Sequence, residues 1–240
     1  NSNDFTLYGN PTFRSDLNSG TFEFDENNDY AQSNSTTVLN STQYTKIAVY
    51  YPKSKTKNIV SGGNEAAHAF WMANSTNTIR AGHNTSWSQV SYSPGNMLNS
   101  WHYSAVSFSN SDGFKLYYNG NLVDSDNFTA TPNGNSPGLV RIASYNGGNL
   151  FEGYIPVVLI YNRVLTSSEI QNNYNNLAQR YGLTNIGNYS NVDLTYSIAD
   201  TNVATLNGNK VSIVGAGTTT ITVSQASDSN FNAGSKTITL

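Results

Sequence analysis

The chain has 240 residues, enough for one large β domain or for a medium domain with a small one attached. Its 12 basic and 15 acidic residues give a net charge of −3, and no basic run exceeds the scattered Lys53, Lys55 and Lys57, which excludes the electropositive stripe of a nucleic-acid interface. Cysteine is absent, excluding disulfides and thiolate metal sites, and no apolar run reaches transmembrane length. The three lysines are expected in a solvated loop. The first residue is Asn rather than Met, so a processed product or a fragment is expected, with any targeting signal out of view.

Uncharged polar groups carry the solubility: 36 Asn, 30 Ser and 24 Thr against 37% hydrophobic residues. The 16 Tyr, 10 Phe and 3 Trp nevertheless supply large faces to bury. Tyr, Thr, Phe and Val favour strands while Asn, Gly and Ser favour turns, so the composition reads as all-β.

Short alternating segments follow one another along the chain. In GTFEFDENNDYAQ, Phe22 and Phe24 share a strand face and Asp25 to Asp29 form a turn. YTKIAVYY, residues 44 to 51, is a strand closed by Pro52; residues 69 to 73 form another, and WHYSAVSF, 101 to 108, a third. FKLYYNGNLV is the clearest hairpin, with Phe114, Leu116 and Tyr118 on one face and Asn119-Gly120 as a type I′ turn. The nearly continuous apolar run GYIPVVLIY, 153 to 161, is expected to be buried on both faces, with Pro156 marking an irregularity. Thr166-Ser167-Ser168-Glu169 is a capping box, after which Ile170, Tyr174, Leu177, Ala178 and Tyr181 recur at helical spacing until Gly182. That single helix is expected on the outside of a sandwich. Residues 184 to 191 read as a linker. Beyond them LTYSIAD, VATLNGNKVSIVGAG and TTTITVSQ suggest three short strands, with an Asn-Gly-Asn turn at 207 to 209.

Three of these segments, in this order, resemble the laminin-G-like members of the concanavalin A-like jelly rolls. They are FEFDENNDYA, WHYSAVSFSNSDGFKLYYNGNLV and FEGYIPVVLIYNRVLTSSEIQNNY. The resemblance spans about residues 5 to 183 and implies two antiparallel sheets, one of them concave. It also implies that the chain opens partway through an N-terminal strand. Where family members often carry an acidic residue in the closing strand, this chain has Pro156 and Val157. The segment from Thr195 onward resembles the second half of bacterial immunoglobulin-like repeats, at about half of the roughly 100 residues of a complete domain. The expected fold is therefore an all-β, antiparallel two-sheet jelly-roll sandwich with one short C-terminal helix over 1–183. A linker at 184–191 and a small, incomplete immunoglobulin-like β domain over 192–240 follow it.

Glucanases sharing this fold resemble a Glu-x-Asp-x-x-Glu strand, whose two glutamates must stand about 5 Å apart in a retaining mechanism. Glu23 and Asp25 match the first two positions, but the third is Asn28, whose amide cannot protonate a leaving group. No enzyme activity is expected. His68, His83 and His102 lack metalloprotease spacing, and His102 is expected to face solvent. The resemblance also implies a calcium ion at the sheet rim. Asp25, Glu26, Asn28 and Asp29 offer the oxygens that Ca²⁺ prefers, as do Asp124 and Asp126, although Asp and Asn are also ordinary turn residues.

Glycan recognition requires aromatic faces beside planar amide or carboxylate groups. Trp71 and Trp101 are expected in the core, whereas Trp87 in the polar stretch HNTSWSQ and Tyr145-Asn146 before Gly147-Gly148 are the loop candidates for ligand contact. The expected function is a non-enzymatic recognition or display module, extracellular, on a cell surface or on a virion. Its partners would be surface glycans or other structural proteins, without nucleic acid or membrane insertion. The alternative is a filament or capsid subunit that self-associates by strand exchange.

Overall fold

The computed structural model describes residues 4–17, 20–34, 39, 41–54, 57–62, 68–73, 77–84, 86–132, 139–183, 194–208, 210–227 and 233–240. The linker expected at 184–191, Lys55 and Asn209 lie outside the described residues. The chain divides into two compact units, Asn1–Thr184 and Asn185–Leu240.

The first unit opens with strands β1 (Phe5–Tyr8), β2 (Thr12–Arg14), β3 (Thr21–Asp25) and β4 (Tyr30–Ser33), then the ten-residue β5 (Gln43–Pro52). Next come β6 (Lys57–Asn58), β7 (Val60–Ser61), β8 (Ala69–Ala73), β9 (Thr78–His83) and β10 (Ser86–Tyr92). The remaining strands are β11 (His102–Ser109), β12 (Gly113–Tyr118), β13 (Asn121–Asp126), β14 (Arg141–Ile142) and β15 (Glu152–Tyr161), followed by helix α1 (Ser167–Tyr181).

One layer is a seven-stranded sheet in the order β13-β12-β11-β5-β15-β3-β2, antiparallel throughout. The facing layer consists of two four-stranded sheets, β1-β4-β14-β7 and β10-β9-β8-β6. Backbone bonds from Ile59 N to Phe70 O (2.9 Å) and from Gly62 N to His68 O (3.2 Å) stitch the two side by side. The unit is thus the jelly-roll sandwich its sequence suggests. Between the layers Tyr44, Tyr50, Phe108, Phe114 and Leu116 pack against Phe70, Met72, Ile79, Ala81 and Val90.

Strand alternation then decides what each side of the seven-stranded sheet sees. On β5 and β12, Ile47, Val49 and Tyr117 point away from the inter-sheet core and meet Ile170, Tyr174, Ala178 and Tyr181 of α1. The helix is held at both ends as its sequence suggests. The Thr166 hydroxyl accepts from Glu169 N, the Glu169 carboxylate accepts from Thr166 N, and Gly182 adopts φ 57° at the C-cap. The hairpin at Asn119-Gly120 has φ 46° and 82°, both positive as a type I′ turn demands.

Three expectations are corrected. The strand buried on both faces is not β15, whose residues from Pro156 onward are half-buried; it is β11, buried along its entire length. β3 pairs with β15 only as far as Ile155, leaving the second half of β15 with a strand neighbour on one side alone among the described residues. His102 does not face solvent: it is buried, with Nε2 donating to Met97 O at 2.7 Å. Because that carbonyl can only accept, Nδ1 carries no proton and accepts from the Tyr118 hydroxyl at 2.6 Å. Lys53 is not in a free loop but half-buried and ion-paired to Glu23.

Among its described residues the second unit holds five strands rather than three: β16 (Leu194–Ile198), β17 (Ala204–Asn207), β18 (Lys210–Ile213), β19 (Thr220–Gln225) and β20 (Gly234–Thr239). β17 and β18 are the two arms of a hairpin, in keeping with the turn expected at 207 to 209, and GSKTIT supplies a further strand that pairs with β19 in the order β16-β19-β20. Val203, Ala204, Thr219 and Ile221 are buried there, while Ile213, Val214, Ile238 and Leu240 are exposed.

Candidate functional site

The alternation that sends Phe22 and Phe24 into the core turns Glu23 to the opposite face of the seven-stranded sheet. Register carries that position across the sheet: Thr12 stands opposite Glu23, Glu23 opposite Tyr154, and Tyr154 opposite Tyr51. Trp101, just before β11, lies against Tyr51. Helix α1 covers the other half of this face and meets Trp101 through Tyr181, with ring centroids 5.3 Å apart.

The result is a half-buried aromatic row. Tyr51 and Trp101 are 5.2 Å apart, Tyr51 and Tyr154 5.5 Å, and Trp101 and Tyr154 6.0 Å. A β-bulge between Tyr154 and Val157 shapes one end, where Pro156 has no N–H to lose and Gly153 adopts φ 136°.

Charge borders the row. Arg14 Nη1 donates to Glu23 Oε2 at 2.8 Å, Lys53 Nζ binds the other carboxylate oxygen, and the same ammonium sits 4.4 Å over the Tyr154 ring. Lys53 first, then Arg14, hold the Glu23 carboxyl below its ordinary range against the opposing effect of burial. An acid catalyst of glycoside hydrolysis needs a raised pKa, the opposite of what surrounds Glu23. The glucanase-like spacing is also lost in space: β3 ends at Asp25, and Glu26 turns the chain with φ 66°, so Asn28 is not on the strand. What remains is an open surface of rings with planar charged groups at its edge, suited to stacking on an amphipathic ligand and hydrogen-bonding its hydroxyls.

The acidic turn next to β3 is partly assembled as a set of oxygen donors. Asp29 is buried, and its Oδ1 accepts from Asn10 N at 2.7 Å. Asn28 Oδ1 and O crowd over Gly9 together with Asp29 Oδ1. Burial pushes the Asp29 carboxyl up, and the neighbouring negative charge of Asp25 adds to the shift. Asp25 Oδ1 accepts from Asn27 N at 2.9 Å, whereas Glu26 points away and accepts from Ser54 Oγ at 2.9 Å. Asp25, Asn28 and Asp29 therefore come together without Glu26. Among the described residues no three Asp, Glu or His side chains converge as a metal site. Asp124 and Asp126 accept from Ser91 N and Phe128 N, both at 2.7 Å.

Trp87 lies on β10, not in a loop, and is 55% exposed. Tyr145 and Asn146 occupy a tight turn in which Tyr145 and Gly148 exchange two backbone bonds of 2.8 Å, and Asn146 and Gly147 have φ 49° and 76°. The turn thus accounts for Asn146 and Gly147, and among the described residues no hydrogen bond or ring contact joins Tyr145 or Asn146 to Trp87. Trp101, expected in the core, is half-buried on the aromatic row. The residues that sequence inspection missed, Tyr51, Tyr154, Lys53 and Arg14, share a face only through strand register. The one signal for them in the sequence is their alternation with core residues such as Phe22, Tyr50 and Ile155.

This chain belongs to the concanavalin A-like lectin/glucanases superfamily, whose family model matches residues 25–171. Among solved structures it is similar to domain 4 of AbnA, a GH43 extracellular arabinanase from Geobacillus stearothermophilus, in complex with arabinotriose. That match has 16% identity and a TM-score of 0.56, covering 70% of this chain and 86% of that one. It is also similar to the botulinum neurotoxin serotype G binding domain, with 12% identity and a TM-score of 0.59 over 95% of this chain and 64% of that one. The binding domain of botulinum neurotoxin DC in complex with rat synaptotagmin II gives 12% identity and a TM-score of 0.57 over 99% and 66%. The chain thus spans less than two thirds of either toxin domain, and at these identities the likeness is one of fold. No curated protein matches the sequence.

Proposed function

We propose that the first unit is a carbohydrate-recognition module that stacks saccharide rings on Tyr51, Tyr154 and Trp101. The observation that carries the proposal is the aromatic row itself, three rings on neighbouring strands bordered by the Arg14–Glu23–Lys53 charge cluster. The arabinotriose bound by the similarly folded arabinanase domain supports a saccharide as the ligand class. The Asn-, Ser- and Thr-rich composition suits a surface that meets sugars, on the outside of a cell or virion. A calcium ion at the neighbouring turn would be held by Asp25, Asn28 and Asp29, with Glu26 outside the set. A glycan array probed with the full chain, with and without EDTA, tests the proposal. Binding that Tyr154→Ala weakens at least tenfold while the thermal transition stays in place is the expected result. Silence on the array under both conditions overturns it.

A second role in self-association is favoured by the second unit, where Ile213 is 73% and Ile238 53% exposed and β20 is exposed along its whole length. Concentration-dependent oligomers in sizing experiments are expected from strand addition at that edge, and a monomer at all concentrations removes this role.

A further inference from the structure

The other layer carries an outward face of its own, built around Arg80. On β8 and β9 the core takes Phe70, Met72, Ile79 and Ala81, so the intervening Trp71 and Arg80, which stand opposite each other, point outward. The Arg80 guanidinium lies 5.7 Å from the Trp71 ring centroid. Its Nε is buried without a hydrogen-bond partner, and among the described residues no carboxylate forms an ion pair with it. An outward guanidinium with no counter-ion among the described residues, and with its Nε unpartnered, is suited to receive an anion.

Local backbone geometry brings the segment that carries a second, exposed indole, Trp87, against Trp71. The register between β9 and β10 runs from His83↔Ser86 to Ala81↔Val90, so residues 87 to 89 bulge out of the ladder. They pass directly over Gly82, where a Cβ would lie 2.3 Å from Ser86 O and 3.2 Å from Gln89 N, so only glycine permits the crossing. The bulge is pinned by Trp71 Nε1, which donates to Trp87 O at 3.0 Å. One residue therefore anchors the segment that presents Trp87 while supporting the face of Arg80. Asp124, just beyond the edge of β10, is occupied by Ser91 N at 2.7 Å.

We propose that Trp71, Arg80 and Trp87 form a second binding site, selective for a carboxylate-bearing saccharide such as a uronic or sialic acid residue. Trp87 stacks on the sugar ring, and Arg80 takes the carboxylate through its planar N–H donors, with Trp71 fixing both. The site is separate from the Tyr51–Tyr154–Trp101 face and does not depend on it.

The test is calorimetric titration of the full chain with oligogalacturonate and with sialyllactose, against neutral galactan oligomers and lactose. At least one acidic probe is expected to bind at least tenfold more tightly than its neutral counterpart, with an affinity that falls as salt is raised. Arg80→Met, which keeps the aliphatic packing on Trp71, is expected to abolish that preference, and Trp87→Ala to weaken acidic-sugar binding at least tenfold. Tyr154→Ala is expected to leave it unchanged. Equal binding of acidic and neutral sugars, or no binding of either acidic probe, overturns the site. So does acidic-sugar binding that survives Arg80→Met or is lost with Tyr154→Ala, whichever outcome the glycan array gives for the other face.

Discussion

Lys46 Nζ, fully buried between the two layers, donates to the Ala69 carbonyl at 3.3 Å. Around it are the rings of Tyr44 and Phe70, at 5.5 and 5.8 Å, and among the described residues no carboxylate pairs with it. One long hydrogen bond and two ring faces do not replace the hydration of an ammonium, and burial pushes its pKa down to about 7. Lys46→Met keeps the stem and removes the charge. It is expected to stabilise the first unit by about 2 kcal/mol, seen as a rise of roughly 4–8 °C in its thermal transition. An unchanged or lowered transition contradicts the assignment of Lys46 as a destabilising buried charge.

The pH dependence follows from the same cluster. His83, beside Tyr44, donates through Nε2 to Ala130 O at 2.7 Å and accepts the Tyr44 hydroxyl at Nδ1, and burial pushes it down to about 4. His68 is lowered as well, first by burial and then by the charge of Lys46. A base whose folded pKa lies below its unfolded value binds fewer protons when folded, so stability falls as pH falls between the two values. Lys46 therefore loses stability from about pH 10.5 down to about 7, and His83 from about 6.5 down to about 4. Denaturant midpoints should decline in two steps across these windows, and Lys46→Met should abolish the upper step and shrink the lower one, because the Lys46 charge also lowers His68 and His83.

Thr166 caps α1, and α1 closes one face of the seven-stranded sheet. Thr166→Ala removes the acceptor for Glu169 N and is expected to cost about 1 kcal/mol, or a fall of roughly 2–4 °C. Thr166→Ser should restore most of it. Equal losses in both variants would show that the hydroxyl is not the operative group.

Gly153 has φ 136°, and a Cβ there would lie 2.0 Å from Tyr51 O. Gly153→Ala must move one of the two strands that carry Tyr51 and Tyr154. A destabilisation of about 2 kcal/mol or more is expected, with weaker glycan binding at temperatures where the unit is still folded. A variant that binds as tightly as the parent would show that the bulge does not shape the aromatic row.

Calcium at the 25–29 turn would relieve the opposition between Asp25 and the buried Asp29. Millimolar CaCl2 is expected to raise the thermal transition of the first unit relative to EDTA, and Asp29→Asn to remove the difference while Glu26→Gln preserves it. No shift with calcium discards the ion, and the turn is then held by its own hydrogen bonds, those that Asp25 and Asp29 accept from Asn27 N and Asn10 N among them.

The sequence by itself determined those elements whose chemistry is local. Thr166 and Glu169 cap a helix wherever it packs, and Asn119-Gly120 turns a hairpin because few residue pairs tolerate two positive φ angles. The alternation of Phe22 and Phe24 with Glu23 marked which side of a strand is apolar. It could not say what the polar side would meet, since pairing partners lie up to about 130 residues apart, as Glu23 and Tyr154 do. Burial of the apolar run GYIPVVLIY was overestimated because its length shows two apolar faces but not whether a neighbouring strand covers its edge. The solvent assignment of His102 failed for a related reason: a polar ring is stable inside once Met97 and Tyr118 satisfy both nitrogens. Only the tertiary structure decided that Tyr51, Tyr154 and Trp101 make one surface and that Arg80 faces outward with no counter-ion among the described residues. Register and layer packing set distances between strands, and neither is encoded in any single segment.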